Sequence, residues 1–152
     1  MKFTLLRPGL PLERSGTERV LELMQQLYEQ DGLGYDEGRA REAIDGLMDN
    51  PPYGGIWLIE ADGKTVGYLI VTIGYSLEFH GRYGLLDEFF VDRAWRSRGI
   101  GSLALDFAAD WCRSQGLKAL RLEVGHENLR ALGLYRRSGF EVHDRHLMTR
   151  WL

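Results

Sequence analysis

One cysteine, Cys112, stands in a chain of 152 residues, so no internal disulfide can brace the fold and a reducing compartment is expected. Proline is as scarce: none follows Pro52, and no Pro-, Gly- or Ser-rich tract separates one part of the chain from another. No apolar run is long enough to cross a bilayer or to form the core of a secretory signal, which points to a cytoplasmic protein with no membrane partner. His80, His126, His143 and His146 share no ligand spacing with one another or with Cys112, so no metal is expected. Basic charge in excess is missing too. With a net charge of −3 and no concentrated basic face, a nucleic-acid partner is not expected.

What is present is ordinary globular material, 44% hydrophobic and 27% charged, without internal repeats. A chain of this length suits one domain over residues 1–152. The charge is uneven along it. Residues 1–92 hold 8 Lys and Arg against 16 Asp and Glu, a net of −8, whereas residues 93–152 hold 11 against 6, a net of +5. Two halves of opposite sign suggest two partners of opposite sign.

Periodicity supplies the elements. Lys2–Arg7 alternates as a strand, and Val20, Leu23, Met24, Leu27 and Tyr28 recur at helical spacing over residues 17–30. Glu37–Met48 reads as a second helix, stopped at Asn50-Pro51-Pro52. Gly55–Glu60 and Thr65–Ile73 flank an Asp62-Gly63 turn and form a hairpin. Tyr83–Val91 is a further strand. Ile100–Arg113 carries apolar residues at 100, 103, 104, 107, 108 and 111, a helical stripe that places Cys112 and Trp111 in packing roles. Ala119–Val124, Asn128–Ser138 and Phe140–Arg150 follow as strand, helix and final strand, with His143 and His146 structural. The order β-α-α-β-β-β-α-β-α-β implies an α/β (α+β) fold with a mixed sheet of about six to seven strands and about four helices. The stretch Leu85–Val124 reads as a right-handed crossover between parallel strands.

After the strand ending at Val91 comes Arg96-Ser97-Arg98-Gly99-Ile100-Gly101-Ser102, then a helix. A glycine-rich turn at a helix N-terminus is an anion site, because the first amides lack carbonyl partners and the dipole adds positive charge. Arg96 and Arg98 add full charge. The loop is neither a Walker A, since no Gly-Lys-Ser/Thr follows, nor a dinucleotide fingerprint, since three-glycine spacing is absent.

Arg96-x-x-Gly99-x-Gly101 resembles the Arg/Gln-x-x-Gly-x-Gly/Ala loop of the GNAT superfamily of N-acetyltransferases. About thirty residues on, Asn128-x-x-Ala131-x-x-x-Tyr135-x-x-x-Gly139-Phe140 is similar to that family's second motif, and Leu86-Asp87-Glu88-Phe89-Phe90-Val91 is closest to the strand of its polyamine branch. The resemblance covers residues 83–141. It implies acetyl-CoA as co-substrate: backbone groups of Phe89, Phe90 and Val91 toward the pantetheine arm and thioester, residues Arg96 to Ser102 around the pyrophosphate, Asn128 on the pantetheine. It also implies Tyr135 as general acid beside the sulfur. Asp87 falls where the polyamine branch carries a catalytic glutamate. Glu88, on the opposite face of a regular strand, takes that place if a bulge intervenes, and neither is needed if the free amine suffices.

The acceptor pocket implied by the same resemblance uses residues 31–36 and 74–79, where Tyr35, Glu78 and Asp87 suit a cation with an apolar stem. The expected reaction is transfer of an acetyl group to a primary amine of a small cationic molecule by direct attack in a ternary complex. A protein N-terminus or lysine is the alternative acceptor, and a non-catalytic acyl-CoA sensor of the same fold the alternative role. The sequence is compatible with a monomer or a homodimer.

Overall fold

The computed structural model describes residues 1–8 and 11–152. Its elements are β1 (Lys2–Leu5), α1 (Pro11–Asp31), α2 (Glu37–Met48), β2 (Gly54–Ala61), β3 (Lys64–Ser76), β4 (Gly81–Val91), α3 (Ile100–Ser114), β5 (Leu120–Leu122) and α4 (Leu129–Arg137). One mixed sheet runs β1-β2-β3-β4-β5. Its first four strands are antiparallel neighbours, and β5 returns parallel to β4 through α3, as the crossover reading requires.

Each face of the sheet buries its own core. On one, Val20, Leu23 and Met24 of α1 and Ile44 of α2 pack against Ile56, Tyr68, Ile70 and Phe90. On the other, Ala104, Leu105, Ala108 and Cys112 of α3 pack against Trp57, Ile59, Leu69, Val71 and Leu86. The α3 stripe is rotated from the expected one, with Leu103 exposed and Leu105 buried, while Cys112 is buried as expected. Burial pushes the Cys112 thiol up to about 11, so it serves as packing and not as a nucleophile. Both α2 boundaries match the periodicity, because Asp36 accepts the Arg39 amide at 3.0 Å as an N-cap and Pro51 closes the far end.

The final strand is not formed. Residues 140–152 carry no regular structure, so the sheet has five strands among the described residues where six to seven were expected. The reason lies in what the segment can bury. Phe140 packs against the α3-side core, but Val142, Leu147 and Met148 face solvent, and Arg145 forms a two-point ion pair with Glu78 instead of a ladder rung. Loose alternation gives a strand only when one face has somewhere to pack. Among the described residues, no helix is long and apolar enough to cross a membrane.

Candidate active site

The site begins where the sheet comes apart. β4 and β5 pair at Gly84, Leu85 and Leu86, opposite Leu120, Arg121 and Leu122, and then diverge. Beyond that point β4 keeps β3 on one side and, among the described residues, has no strand on the other. A cleft of about 470 Å³ opens there, bounded by β4 from Leu86 to Val91, the loop before α3, residues 122–125, α4 and the C-terminal end of α1.

A bulge coincides with the split. Ile70 lies opposite Glu88 and Val71 opposite Leu86, so Asp87 is the extra residue. The bulge reverses the facing of everything after it. Leu86 packs on the α3 side, while Glu88 and Phe90 turn to the α1 side. Asp87 is left exposed at the cleft wall, its carboxyl raised above the ordinary range by partial desolvation.

Glu88 is half-buried and engaged at both oxygens. One carboxylate oxygen accepts the Tyr28 hydroxyl of α1 at 2.7 Å and the other accepts the Tyr68 hydroxyl of β3 at 2.8 Å. Burial raises its pKa, and the two phenol donors hold that rise back. A carboxyl that binds its proton more tightly folded than unfolded favours folding most at low pH. That contribution is lost as pH climbs from the unfolded value through the raised folded one. Glu88→Gln removes this titration, but it also leaves one tyrosine hydroxyl without an acceptor, because an amide nitrogen only donates. The Tm of Glu88→Gln relative to the wild type should therefore rise between about pH 4 and pH 8, whatever its offset. A Tm difference that stays constant over that range would mean that the phenol bonds cancel the effect of burial on Glu88.

The loop before α3 is built for an anion. Ser97 and Gly99 both have left-handed backbone, with φ +64° and +78°. Gly99 caps α3 without a side chain, and the first helical bond runs from the Leu103 amide to the Gly99 carbonyl at 3.2 Å. The amides of Ile100, Gly101 and Ser102 thus precede the helical ladder and point out of its end. The glycines have different duties. A Cβ on Gly99 would meet nothing within 4 Å, so its glycine character serves the positive φ, whereas a Cβ on Gly101 would come to 2.9 Å from Leu134 of α4. Gly101 lets the two helices close on each other.

The arginines divide as well. Arg96 turns inward: Nε donates to the Val91 carbonyl at 2.7 Å, Nη2 donates to Gln30 at 2.8 Å, and the guanidinium lies over Phe90. It fastens the loop to β4 and α1, and it occupies the Val91 carbonyl that was expected to face the pantetheine arm. Arg98 lies over Trp95, 4.7 Å from the ring centroid, and is not part of the cleft wall. A cation beside the loop is Arg130 of α4, whose Nη2 donates to Ser97 Oγ at 3.1 Å; Arg96 and Arg137 line the same cleft. Sequence reasoning missed Arg130, although its position two residues after Asn128, in the second motif, was the available signal.

Phe89, Phe90, Asn128 and Tyr135 all line the cleft. Asn128 also caps α4, its side chain accepting the Ala131 amide at 3.2 Å. Tyr135 packs edge-on to Phe140 on the α3 side, and among the described residues its hydroxyl has no hydrogen-bond partner. Burial raises its pKa. Tyr35 and Glu78 lie outside the cleft wall. Tyr35 donates to the Leu21 carbonyl at 3.2 Å and meets the Tyr28 ring edge-on, and Glu78 is held by Arg145 at 2.9 Å. Tyr28 was read only as part of the helical stripe over residues 17–30, and Tyr68 only as part of the strand Thr65–Ile73. A tyrosine in a buried stripe needs a partner for its hydroxyl, and that was the signal to follow. Among the described residues no cluster of His, Cys, Asp and Glu could hold a metal ion.

The sequence pattern of the acetyltransferase (GNAT) family matches residues 18–140. An uncharacterised N-acetyltransferase of Methanocaldococcus jannaschii is 31% identical over 99 residues, which are 64% of this chain and 43% of that protein. The thialysine N-epsilon-acetyltransferase of Bos taurus is 28% identical over 148 residues, 91% of this chain and 85% of that protein. Among solved structures, an integron cassette protein from the mobile metagenome of Cole Harbour Salt Marsh superposes with a TM-score of 0.83 and 30% identity, covering 99% of this chain and 90% of the other.

Proposed function

The chain belongs to the GNAT family of acetyltransferases, and from that membership we propose that it moves an acetyl group from acetyl-CoA to a primary amine of a small cationic molecule, by direct attack in a ternary complex. One observation carries the reading. Glu88 and Tyr135 reach a single cleft from opposite faces of the sheet, through the gap where β4 leaves β5. Such an arrangement puts a proton acceptor on one side of a reacting carbon and a proton donor on the other.

The residues fit the co-substrate. Three unpaired amides at the start of α3 and the Arg130 guanidinium suit a pyrophosphate, and the unpaired edge of β4 suits an amide-bearing arm. Acetyl-CoA supplies the activated acyl carbon. The free edge of β4 orients that carbon, and the α1 face admits the amine. As the N–C bond forms and the C–S bond breaks, Glu88 takes the proton that the amine loses and Tyr135 gives its proton to the departing sulfur. Asp87, exposed at the mouth, attracts the cation; Asp31 and Glu123 add to the negative wall, and the Bos taurus relative named for thialysine supports a cationic amine.

The test is thiol release from acetyl-CoA with a panel of thialysine, a polyamine, an aminoglycoside, a lysine peptide and a neutral amine. A cationic acceptor should be preferred, and its kcat/KM should fall as ionic strength rises, since attraction is screened over about 8 Å at physiological salt. The neutral amine should respond less. Acetyl-CoA binding with no transfer to any amine would make the chain a sensor, and a preferred neutral acceptor indifferent to salt would remove the charge from recognition.

A further inference from the structure

We propose that Tyr28 and Tyr68 are positioning residues that clamp Glu88 between two phenol hydroxyls, fixing an oriented carboxylate whose remaining lone pairs receive the acceptor's ammonium. The inference rests on the acyl-transfer reading and deepens it.

The clamp closes from two directions. Tyr28 comes from α1 and donates to one oxygen, while Tyr68 comes from the neighbouring strand β3, is fully buried, and donates to the other. The bulge at Asp87 makes this possible, because in a regular strand Glu88 would share the face opposite to Leu86's neighbours and miss the α1 side. The groups facing Glu88 are Tyr28 from α1, Tyr68 from β3, Asp87 on its own strand and, beyond Tyr28, Tyr35; none is a cation.

Half-buried carboxylates ordinarily find a positive partner. Here two neutral donors orient the charge without cancelling it. Each carboxylate oxygen can accept two hydrogen bonds, so each keeps one lone pair after its tyrosine is satisfied. An ammonium, with three donors, matches what is left. Both phenols are pushed above their usual range by burial and by Glu88 itself, so they remain donors across any assay pH. Hydrogen bonds from the two phenols favour the ionised form of Glu88 and hold back the rise that its burial imposes.

Tyr28→Phe and Tyr68→Phe keep the rings and remove one donor each. The glutamate side-chain carbons of the full-length chain can be titrated by NMR, with the Glu88 signal identified by its loss in Glu88→Gln. The Glu88 midpoint should move to higher pH in each tyrosine variant and further in the double variant. With thialysine as acceptor, kcat/KM at neutral pH should fall by about tenfold for Tyr28→Phe, its acid limb should move upward in parallel, and acetyl-CoA affinity should not change. Tyr28→Phe stands alone as a test if Tyr68→Phe fails to fold. A Tyr28→Phe enzyme whose Glu88 midpoint and acid limb match the wild type overturns the clamp, and so does a shifted midpoint with an unmoved acid limb. The two levels separate cleanly: Glu88→Gln with full turnover sinks the role given to Glu88 itself, whereas a dead Glu88→Gln beside an unaltered Tyr28→Phe sinks only the clamp.

Discussion

Tyr135→Phe is expected to bind acetyl-CoA as the wild type does and to lose about 10²–10⁴-fold in kcat, the range general acids typically contribute. Only one atom that matters is removed. The ring stays packed against Phe140 at 5.9 Å between centroids, so the cleft wall and α4 are preserved. The hydroxyl has no partner among the described residues, and removing it leaves no buried group stranded there. Stability should therefore be unchanged or slightly higher, which separates lost chemistry from lost fold. Because burial raises the Tyr135 pKa, the phenol stays protonated through the neutral range and is a donor at every practical assay pH. The pH profile of the wild type should then take its acid limb from a carboxylate, not from Tyr135. If Tyr135→Phe turns over like the wild type at all pH values, the residue is packing and the proton reaches the sulfur by another route.

Much of this site was legible because its physics is local. A helix start is written in a few consecutive residues, so the anion loop before α3 and the cap of α2 could be read directly. The Asp62-Gly63 hairpin was readable for the same reason: positive φ at both positions is a demand that few residue types meet. What stayed open or escaped depends on partners far along the chain. The bulge at Asp87 is set by how β4 meets β3, with Ile70 and Val71 skipping one residue, and no composition marks it. The acid that turns toward α1 is thus decided by a neighbour some seventeen residues away. Tyr28 is sixty residues from Glu88, and no spacing rule joins a helix stripe to a strand at that distance. The final strand failed in the opposite way. His143, Asp144, Arg145 and His146 separate Val142 from Leu147 and Met148, and pairing needs a place to bury one face, which these apolar residues do not find.

The residues of the anion loop illustrate how one motif serves two ends. Gly101 was expected to admit phosphate; it lines the cleft and also makes room for Leu134, so α4, with Asn128, Arg130 and Tyr135, is drawn against the start of α3. Arg96 was expected on the ligand; it lines the cleft while tying Val91 to Gln30. Both residues shape the cleft as well as line it. The three amides ahead of Leu103 lie beside Gly99, which makes Gly99 the position through which to test them.

Gly99→Asp should lower acetyl-CoA affinity by 100-fold or more, equivalent to ~3 kcal/mol. The open space around Gly99 means that a side chain causes no clash, so two other effects decide the outcome. The backbone cost of placing a non-glycine residue at φ +78° is about 1–2 kcal/mol, and aspartate tolerates that region better than most. More important, its carboxylate would set a negative charge at the N-terminus of α3, beside the amides where a pyrophosphate is proposed to lie. Repulsion between two anions at one site is what should close it. Two controls divide the causes. Gly99→Ala carries the backbone cost without a polar side chain, and Gly99→Asn carries the size of the side chain without its charge. Calorimetric titration of acetyl-CoA should place Gly99→Asp well below Gly99→Ala and Gly99→Asn, and both of those nearer the wild type, with melting temperatures that do not follow that order. If Gly99→Asp binds as tightly as Gly99→Ala, the amides of α3 are not what holds the pyrophosphate, and the anion site must be moved to Arg130 and α4.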